Sequence, residues 1–334
     1  GAIAAVVVVA MVAAGLPFLR VELTRADATT LPADSSARQV DSLLQNRFTS
    51  DPASRITVVL TQPPGPRAFA QARRKLAALP AVEDVERPVP TGDVRRIDVQ
   101  LVVKPFSDKA LDAVEAARGL SWGAPALVDG PPAELRDQRD SLRDHLPTAL
   151  AIIVLSTLAL IFAMTGSLVL PFLALLMNAL TVSVAFGVLV FIFQDGRLEG
   201  LLDYTSQGAL DTSMPILLFA VAFGLSTDYG VFLLQRISEE RRAGRSESGA
   251  IAAGLARSGR SITAAALLFA VAMGAFAFSD LVFIKEVAVG TAVAVIVDAT
   301  LVRALLFPAL LGLLGERAWW GPRRAARSPE PELS

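Results

Sequence analysis

Six long apolar stretches alternate with charged segments along the chain, and every stretch is close to or longer than the roughly 20 residues that a helix needs to cross a bilayer. Uninterrupted apolar runs of this length are typical of membrane-spanning helices. The predicted spans are Ala2–Leu19, Pro147–Met164, Leu168–Phe193, Thr212–Gln235, Ile262–Ser279 and Lys285–Leu314. The pattern therefore predicts a mainly α membrane protein with six transmembrane helices.

The segment between the first two spans, residues 20–146, holds most of the charge and has a different periodicity. Its helical and strand patterns follow the order βαββαβ, which is typical of a ferredoxin-like α+β domain. Pro132–Leu146 is predicted to continue as a helix into the second span. The predicted helices are Ser36–Phe48 (with Val40, Leu43, Leu44 and Phe48 on one stripe), Arg67–Leu79 and a helix capped by Ser107 that ends at Arg118; the predicted strands are Arg55–Leu60, Val82–Arg87, Arg96–Val103 and Ala124–Val128.

The loops that connect the spans differ in the sign of their charge. The loop at 236–261 and the tail at 315–334 are rich in arginine, whereas the loop at 194–211 carries four acidic residues and one arginine. Short cytoplasmic loops are enriched in Lys and Arg, so we expect the basic loop and the C-terminus to be cytoplasmic. Residues 20–146 are then extracytoplasmic, and the acidic loop is a solvated outer loop. We expect the tail at 315–334 to be disordered, and the arginines to contact anionic membrane lipids.

These assignments divide the chain into four parts. Residues 1–19 are the first transmembrane helix, 20–146 the outer domain, 147–314 five further helices and 315–334 the tail. The chain opens at Gly1 within an apolar run and lacks the basic segment of a signal peptide. We therefore expect it to be part of a longer polypeptide.

The composition excludes several kinds of site. The chain of 334 residues is 53% hydrophobic, with a formal net charge of −1, no cysteine and a single histidine, His145. A disulfide framework, a cysteine nucleophile and a histidine metal cluster are therefore excluded, and no glycine-rich loop carries the Lys-Ser/Thr pair of a nucleotide site. We expect neither an enzyme, nor a metal site, nor a nucleic-acid partner. Any transport is expected to draw on an ion gradient.

An isolated carboxylate, Asp228, lies within the fourth predicted span. A charged residue near the bilayer centre costs about 2.5–3.5 kcal/mol on insertion scales. Ala220, Gly224, Asp228 and Phe232 are four residues apart and share one helix face, and small residues on such a face permit the close approach of another helix. We expect Asp228 to lie at a helix interface as a proton carrier, with Tyr229 hydrogen-bonded to it or to the next helix. The alternative is a structural polar contact.

Two further polar positions lie in the spans. Asp298 and Arg303 are five residues apart in the sixth span, which is a poor α-helical pair, so we expect each to find its partner on another helix, or Arg303 to snorkel to the cytoplasmic face. Their role is either proton passage or helix packing. Asn178 in the third span is expected to make interhelical hydrogen bonds.

Several motifs, taken in order, carry a resemblance that covers nearly the whole chain. They are Leu31–Ser35, Gly130–Ala133, Gly224–Leu234 with its Asp228-Tyr229 pair, Ser258–Ala266, Asp298–Arg303 with Pro308–Leu310, and Trp319–Pro322. This set resembles the second half of the MMPL transporters of the resistance-nodulation-division (RND) superfamily. The resemblance implies an RND-type bundle of six helices with a porter-like outer domain.

The resemblance also implies a function. Members of the MMPL family use the proton gradient to export lipids or other hydrophobic molecules across the cytoplasmic membrane. In these transporters an Asp-Tyr pair from each half meets in the membrane. Asp228 and Tyr229 match the pair of the second half, and the chain contains no second such pair. A missing N-terminal half, a second chain or a homo-oligomer would complete the relay. The alternatives are a non-exporter of the same superfamily, such as a sterol-sensing protein or a protein-translocation helper, and an inert truncated fragment.

Overall fold

The computed structural model of the chain describes residues 1–32, 34–47, 52–92 and 94–322. Two compact units are present: residues 1–23 with the described residues from 148 onward, and residues 24–147. Phe48 at the end of one predicted helix, Ala33 within a family motif, and residues 323–334 of the predicted tail lie outside the described residues.

The helices and strands have the following bounds. The helices are α1 (Ala2–Gly15), α2 (Ser36–Arg47), α3 (Pro66–Ala77), α4 (Asp108–Gly119), α5 (Pro131–Thr165), α6 (Val169–Leu189), α7 (Glu199–Leu202), α8 (Met214–Arg242), α9 (Glu247–Phe276), α10 (Val282–Val297) and α11 (Phe307–Leu314). The strands are β1 (Leu23–Thr24), β2 (Arg55–Leu60), β3 (Val82–Val85), β4 (Val89–Thr91), β5 (Val94–Leu101), β6 (Ala126–Asp129) and β7 (Leu210–Asp211). A π-helical segment, Asp298–Leu306, joins α10 to α11.

Six helical segments are long and apolar enough to cross a membrane, which confirms the predicted number of spans. They are Ala2–Arg20, Pro131–Thr165, Val169–Gln194, Met214–Arg242, Glu247–Phe276 and Val282–Trp319. The predicted cytoplasmic loop at 236–261 is wrong in extent, because α8 runs on to Arg242 and α9 begins at Glu247. Charged residues at these helix ends remain compatible with helix because their side chains are free to extend into water.

Helix α6 is the most buried of the six spans and packs against α1, α8 and α10. Its crossing with α1 depends on a glycine, since a Cβ built on Gly187 would lie 2.0 Å from the carbonyl oxygen of Ala14. Small residues of this kind allow helices to pack at short distances in membranes. The close approach holds α6 in the middle of the unit, where its Asn178 faces α8.

The π-helical segment changes which residues of the last span share a face. In a π-helix the backbone bonds connect residues i and i+5, so positions five apart come close to each other. The segment begins at Asp298 and includes Arg303. This geometry could not be read from the α-helical spacing that the sequence suggests.

The unit of residues 24–147 contains an antiparallel sheet with the order β3-β5-β2-β6, to which β4 adds beside β5. The element order β2-α3-β3-β5-α4-β6 and this sheet order are those of a ferredoxin-like domain, which confirms the predicted fold class. Ile56, Val58 and Leu60 alternate along β2 with partly exposed residues. They form a core with Leu76 of α3 and Val114 of α4.

The predicted helix α2 is confirmed, and Val40 and Leu43 of its apolar stripe are exposed. Two other local predictions in this fold are wrong. Ser107 precedes α4 but its hydroxyl donates to the Lys104 carbonyl and does not cap the helix. The tail is not disordered from residue 315, because Gly315–Trp319 forms a 3₁₀-helix in which Ala318 is fully buried and accepts a hydrogen bond from Ser167.

Candidate functional site

The inward face of α8 carries the polar residue on which the site is built. Leu218, Ala222 and Ser226 are four residues apart and are all buried, as expected for one face of a helix. This face packs against α6 and α10. Ser226 is therefore brought next to polar side chains of both neighbouring spans.

A closed set of hydrogen bonds surrounds Ser226. Its Oγ lies 2.6 Å from Asn178 Oδ1 of α6 and 2.7 Å from Asp298 Oδ1 of the π-helical segment. Asn178 Nδ2 also donates to Thr227 Oγ1, at 3.1 Å. The predicted interhelical hydrogen bonding of Asn178 is confirmed. We call Asn178, Ser226, Thr227, Asp298 and Arg303 the buried polar cluster.

Asp298 and Arg303 form an ion pair with each other. Arg303 Nε donates to Asp298 Oδ2 at 2.5 Å, and each residue is only 5% exposed. Each also has the predicted partner on another helix, because Asp298 accepts from Ser226 Oγ of α8 and Arg303 donates to the Ser226 carbonyl. The direct ion pair between them was not predicted, and the snorkelling of Arg303 is wrong. The reason for the ion pair is the π-helical turn, which brings residues five apart onto one face.

The rest of the Arg303 guanidinium is also enclosed. It donates to the backbone carbonyl of Ser226, and its Cζ lies 5.5 Å from the centre of the Tyr229 ring, a distance suited to a cation–π contact. Its Nη1 is buried and has no protein partner among the described residues. A cavity of about 30 Å³ borders Arg303, Asn178 and Thr227. This volume is enough for one water molecule.

Asp228 lies on the opposite side of α8 from this cluster. It is two residues beyond Ser226, which rotates it by about 200° around the helix axis, and it is exposed. Across the described ranges of the chain, no side chain forms a hydrogen bond or ion pair with it. The structure thus brings Tyr229 to the buried polar cluster and leaves Asp228 outside it.

The face predicted to pack around Asp228 is not covered by any helix of the described chain. Ala220, Gly224 and Phe232 are all exposed, and a Cβ built on Gly224 would meet nothing within 4 Å. The packing face around Asp228 therefore stays a prediction. Within the described residues, α8 uses the Leu218–Ala222–Ser226 side for its contacts with α6 and α10. We call Ala220, Gly224, Asp228 and Phe232 the open face.

Sequence reasoning missed Ser226 and Thr227 as members of the site. Both stand just before Asp228 in an apolar run, and no role was predicted for them from the sequence. The available signal was the spacing of Ser226 from Leu218 and Ala222, which marks a second face of the same helix.

Two buried charged residues at the start of α10 were also missed. Lys285 and Glu286 are each 3% exposed. Lys285 donates to the backbone carbonyls of Leu202 and Asp203, and the Asp211 amide donates to Glu286 at 3.4 Å. The loop at 194–211 is therefore fastened to α10 and is not simply a solvated loop.

Tyr204 adds to the packing of this loop. Its hydroxyl donates to the Ile192 carbonyl, and burial raises the pKa of Tyr204 to about 12. The phenol therefore stays protonated, and keeps this hydrogen bond, at alkaline pH values at which an ordinary tyrosine ionises. None of these loop residues reaches the buried polar cluster.

Six apolar helical spans, a ferredoxin-like α+β unit and a polar cluster inside the bundle define a multi-span membrane protein. The sequence profile of the MMPL family matches residues 88–330. The chain belongs to the MMPL family.

Curated relatives match almost the whole chain. A membrane protein of Streptomyces coelicolor is 36% identical over 330 residues, which is 98% of this chain and 46% of that protein. The trehalose monomycolate exporter MmpL3 of Mycolicibacterium smegmatis is 36% identical over 346 residues, 98% of this chain and 34% of that protein. The mycolic acid-containing lipids exporter MmpL11 of the same organism is 35% identical over 259 residues, 75% of this chain and 27% of that protein. The chain thus spans less than half the length of these relatives.

Among solved structures, SecDF of Thermus thermophilus, a translocon-associated membrane protein, aligns with 96% of this chain and 60% of its own. The TM-score is 0.44 and the sequence identity 16%. A likeness of this degree supports no conclusion about the function.

Proposed function

We propose that this chain is one six-helix half of a lipid exporter that is driven by the proton gradient, with Asp228 as the proton-carrying carboxylate and Tyr229 as its hydrogen-bonding neighbour. Membership of the MMPL family and the relatives named as exporters of trehalose monomycolate and of mycolic acid-containing lipids support lipid as the cargo. Because the chain spans less than half of those relatives, the rest of the transporter is part of the proposal.

The observation that carries the proposal is the environment of Asp228. This acid lies on the open face of a helix whose composition fits the interior of a membrane. A carboxylate turned toward lipid costs about 2.5–3.5 kcal/mol on insertion scales. A partner helix or a water-filled path between two units would remove that cost. Either arrangement gives Asp228 what a proton carrier needs, which is access to protons and a neighbouring polar group.

The open face is also shaped for such a partner. Gly224 lies one turn before Asp228 and Ala220 two turns before it. Both residues are small, which leaves room for a second backbone to approach. The partner is a second six-helix unit, supplied by the same polypeptide, by another chain or by a second copy of this one. In each case two open faces would enclose Asp228 between them.

The proposed orientation follows the charge of the loops. Residues 20–146 lie outside the cytoplasmic membrane and the C-terminus lies inside, since Arg236, Arg241, Arg242 and Arg245 cluster where α8 ends and α9 begins. The chain has no cysteine. Single cysteines at the exposed positions Lys109 and Arg242 therefore report the side of each position directly, with an impermeant maleimide added to intact cells. We expect labelling of Lys109→Cys only, and labelling of Arg242→Cys from outside would overturn the orientation.

The test of the proton role is Asp228→Asn, which keeps the shape of the side chain and removes its titration. We expect this variant to fold and insert normally and to lose proton-driven export of a labelled glycolipid from cells that carry the complete transporter. Asp280→Asn, an exposed acid in the turn before α10, is the matched control and should export normally. Export by Asp228→Asn at the rate of the unmodified protein would refute the proposed function.

Tyr229 allows the roles of ring and hydroxyl to be separated. The described contact of Tyr229 with Arg303 uses the ring, so Tyr229→Phe should keep the stability of the bundle. If the hydroxyl serves Asp228, the Phe variant should nevertheless export poorly. Tyr229→Leu, which removes the ring as well, should lower both export and stability. Equal export by the Phe variant and the unmodified protein would remove Tyr229 from the relay.

The cargo needs its own experiment. A photoreactive lipid and a photoreactive amino acid in the outer domain distinguish the exporter from a translocation helper of the same superfamily. Crosslinks to lipid in cells with an intact proton gradient, lost in Asp228→Asn, are the expected result. Crosslinks to a secreted polypeptide instead would favour the translocation alternative.

A further inference from the structure

The hydroxyl of Ser226 has two acceptors but only one proton. Its Oγ lies 2.6 Å from Asn178 Oδ1 and 2.7 Å from Asp298 Oδ1. A hydroxyl donates a single hydrogen bond, so in one of these two contacts the proton must come from the other group. The buried polar cluster therefore has two self-consistent arrangements of its protons, and they differ in the charge of Asp298.

In the first arrangement Asp298 is ionised. It accepts the proton of Ser226 at Oδ1 and the Nε proton of Arg303 at Oδ2. The Asn178 amide then turns its Nδ2 toward Ser226 and its Oδ1 toward Thr227, whose hydroxyl donates to it. The two ends of an amide are similar in shape and exchange places by rotation of the side chain alone.

In the second arrangement Asp298 carries a proton on Oδ1 and donates it to Ser226 Oγ. Ser226 turns its own proton to Asn178 Oδ1, and Asn178 Nδ2 donates to Thr227 Oγ1, as in the contacts described above. The Thr227 proton is then free to bond the backbone carbonyl one turn earlier, as helical threonines commonly do. One proton has been added to Asp298, and every other proton stays on its own atom.

The charges around Asp298 permit both arrangements. Arg303 and, through it, Tyr229 are the charged or titratable side chains that the described residues place beside this acid. When Asp298 is neutral, Arg303 keeps its bond to the Ser226 carbonyl and its contact with the Tyr229 ring. Arg303 also lines the cavity of about 30 Å³, which has room for a water that would accept a hydrogen bond from it. Arg303 is therefore not left without polar contacts.

We propose that Ser226 and Asn178 form a reversible hydrogen-bond switch, in which the protonation of Asp298 sets the direction of a chain that ends at Thr227, the residue next to Asp228. The inference rests on the proposed function, because the switch lets Asp298 act on Thr227, which is the neighbour of the proposed proton carrier Asp228. Ser226 and Asn178 are positioning residues, since they act through Asp298 and Thr227 and carry no net proton themselves.

The switch predicts that the Asn178 amide turns when Asp298 gains a proton. Infrared difference spectra between low and high pH, recorded on the full chain in lipid nanodiscs, report both groups. The chain contains only two asparagines, Asn46 and Asn178, so isotope-labelled asparagine in an Asn46→Gln background reports Asn178 alone. The Asp298 carboxyl band is identified by its loss in Asp298→Asn. We expect the two bands to change in the same pH step.

Ser226 variants separate the switch from simple packing. In Ser226→Ala the Asp298 band should still change with pH while the Asn178 band no longer does, and export should fall about tenfold, as expected for the loss of one hydrogen bond to a charged group. Ser226→Thr keeps the hydroxyl and should restore both. The matched control is Ser258→Ala, which removes a buried hydroxyl that donates to the Gly254 carbonyl of its own helix at 2.6 Å and has no other bond to the described residues. It should leave the coupling intact.

Three results would overturn the switch. They are an Asn178 band that stays constant while Asp298 titrates, an Asn178 change that survives in Ser226→Ala, and an Asp298 that keeps its charge at every pH at which the protein is folded. Because the spectra require no transport, these results are distinct from a failure of the proposed function, which Asp228→Asn tests by export. Coupled bands together with normal export by Asp228→Asn would retain the switch and refute the proton role of Asp228.

Discussion

The two faces of helix α8 differ in whether their polar side chains are hydrogen-bonded. On the inward face Ser226 lies within a closed set of hydrogen bonds that includes the ion pair of Asp298 and Arg303. On the open face Asp228 has no bonding partner in the part of the chain that the structure describes, and its small neighbours Ala220 and Gly224 are exposed. Among the described residues, Ser226 of the inward face has bonding partners, whereas Asp228 of the open face has none.

This difference teaches how to interpret an acid inside a membrane. The presence of an acid at position 298 is explained by the donors around it, because Asp298 neutralises the buried Arg303 and removal of either partner would leave an uncompensated charge. The described residues supply no such donors to Asp228. Under the proposed function, an acid without a partner among the described residues, beside the small residues Ala220 and Gly224, would be satisfied by a second unit or by a path for protons.

The largest expected difference between the faces is in stability. Arg303→Met leaves Asp298 buried without its counter-charge and should lower the free energy of unfolding by about 3–5 kcal/mol. Asp228→Asn should change it by less than about 0.5 kcal/mol, as for a surface position. Denaturing-detergent titration of the purified chain measures both. As a control, the double variant Asp298→Leu/Arg303→Met should be less destabilising than Arg303→Met alone. Equal losses of stability in Arg303→Met and Asp228→Asn would contradict the difference between the two faces.

Alanine substitution of two glycines should change the free energy of unfolding by smaller amounts and in opposite directions. A Cβ on Gly254 of α9 would lie 2.6 Å from Ile237 Cγ1 and 3.3 Å from the Ile237 backbone nitrogen, so Gly254→Ala should cost about 1–3 kcal/mol. A Cβ on Gly224 meets nothing within 4 Å, and Gly224→Ala should stabilise by up to about 1 kcal/mol because alanine favours the helix. The same titration tests both signs.

Substitutions at Gly224 should affect export and assembly differently from the stability of this chain. In a complete transporter the second unit would cover Gly224, so a larger Gly224→Leu should reduce export and assembly without destabilising this chain. Crosslinking or native mass measurement follows the assembly. Normal assembly of Gly224→Leu would show that no helix packs closely on the open face.

The smallest effect concerns two arginine–aromatic contacts at the end of α8. Arg241 lies 4.6 Å from the ring centre of the partly buried Trp319, and Arg236 lies 5.4 Å from that of the exposed Phe232 on the open face. Trp319→Leu should cost about 0.5–1 kcal/mol, and Phe232→Leu no more than about 0.5 kcal/mol. A larger loss for Phe232→Leu would mean that the open face is packed within this chain.

Much of the architecture was predictable because its signals are local. Six apolar runs predicted six spans, and alternating periodicities in residues 20–146 predicted a ferredoxin-like order that the sheet β3-β5-β2-β6 confirms. Errors arose where a charged segment was taken for a loop, as at 236–261. Helices continue through such segments because long charged side chains reach water from a helix as easily as from a coil.

The chain by itself determined its spans, its charge asymmetry and the presence of Asp228, Asp298 and Arg303 within apolar segments, because transfer into a membrane depends on composition and length. Only the tertiary structure decided which side of α8 faces inward, since a helix that is apolar on nearly every side has no stripe that marks its buried face. It also decided that Asp298 pairs with Arg303, because a π-helical turn depends on how α10 packs and not on the spacing of the residues. The division of α8 into a satisfied face and an open one therefore belongs to the fold.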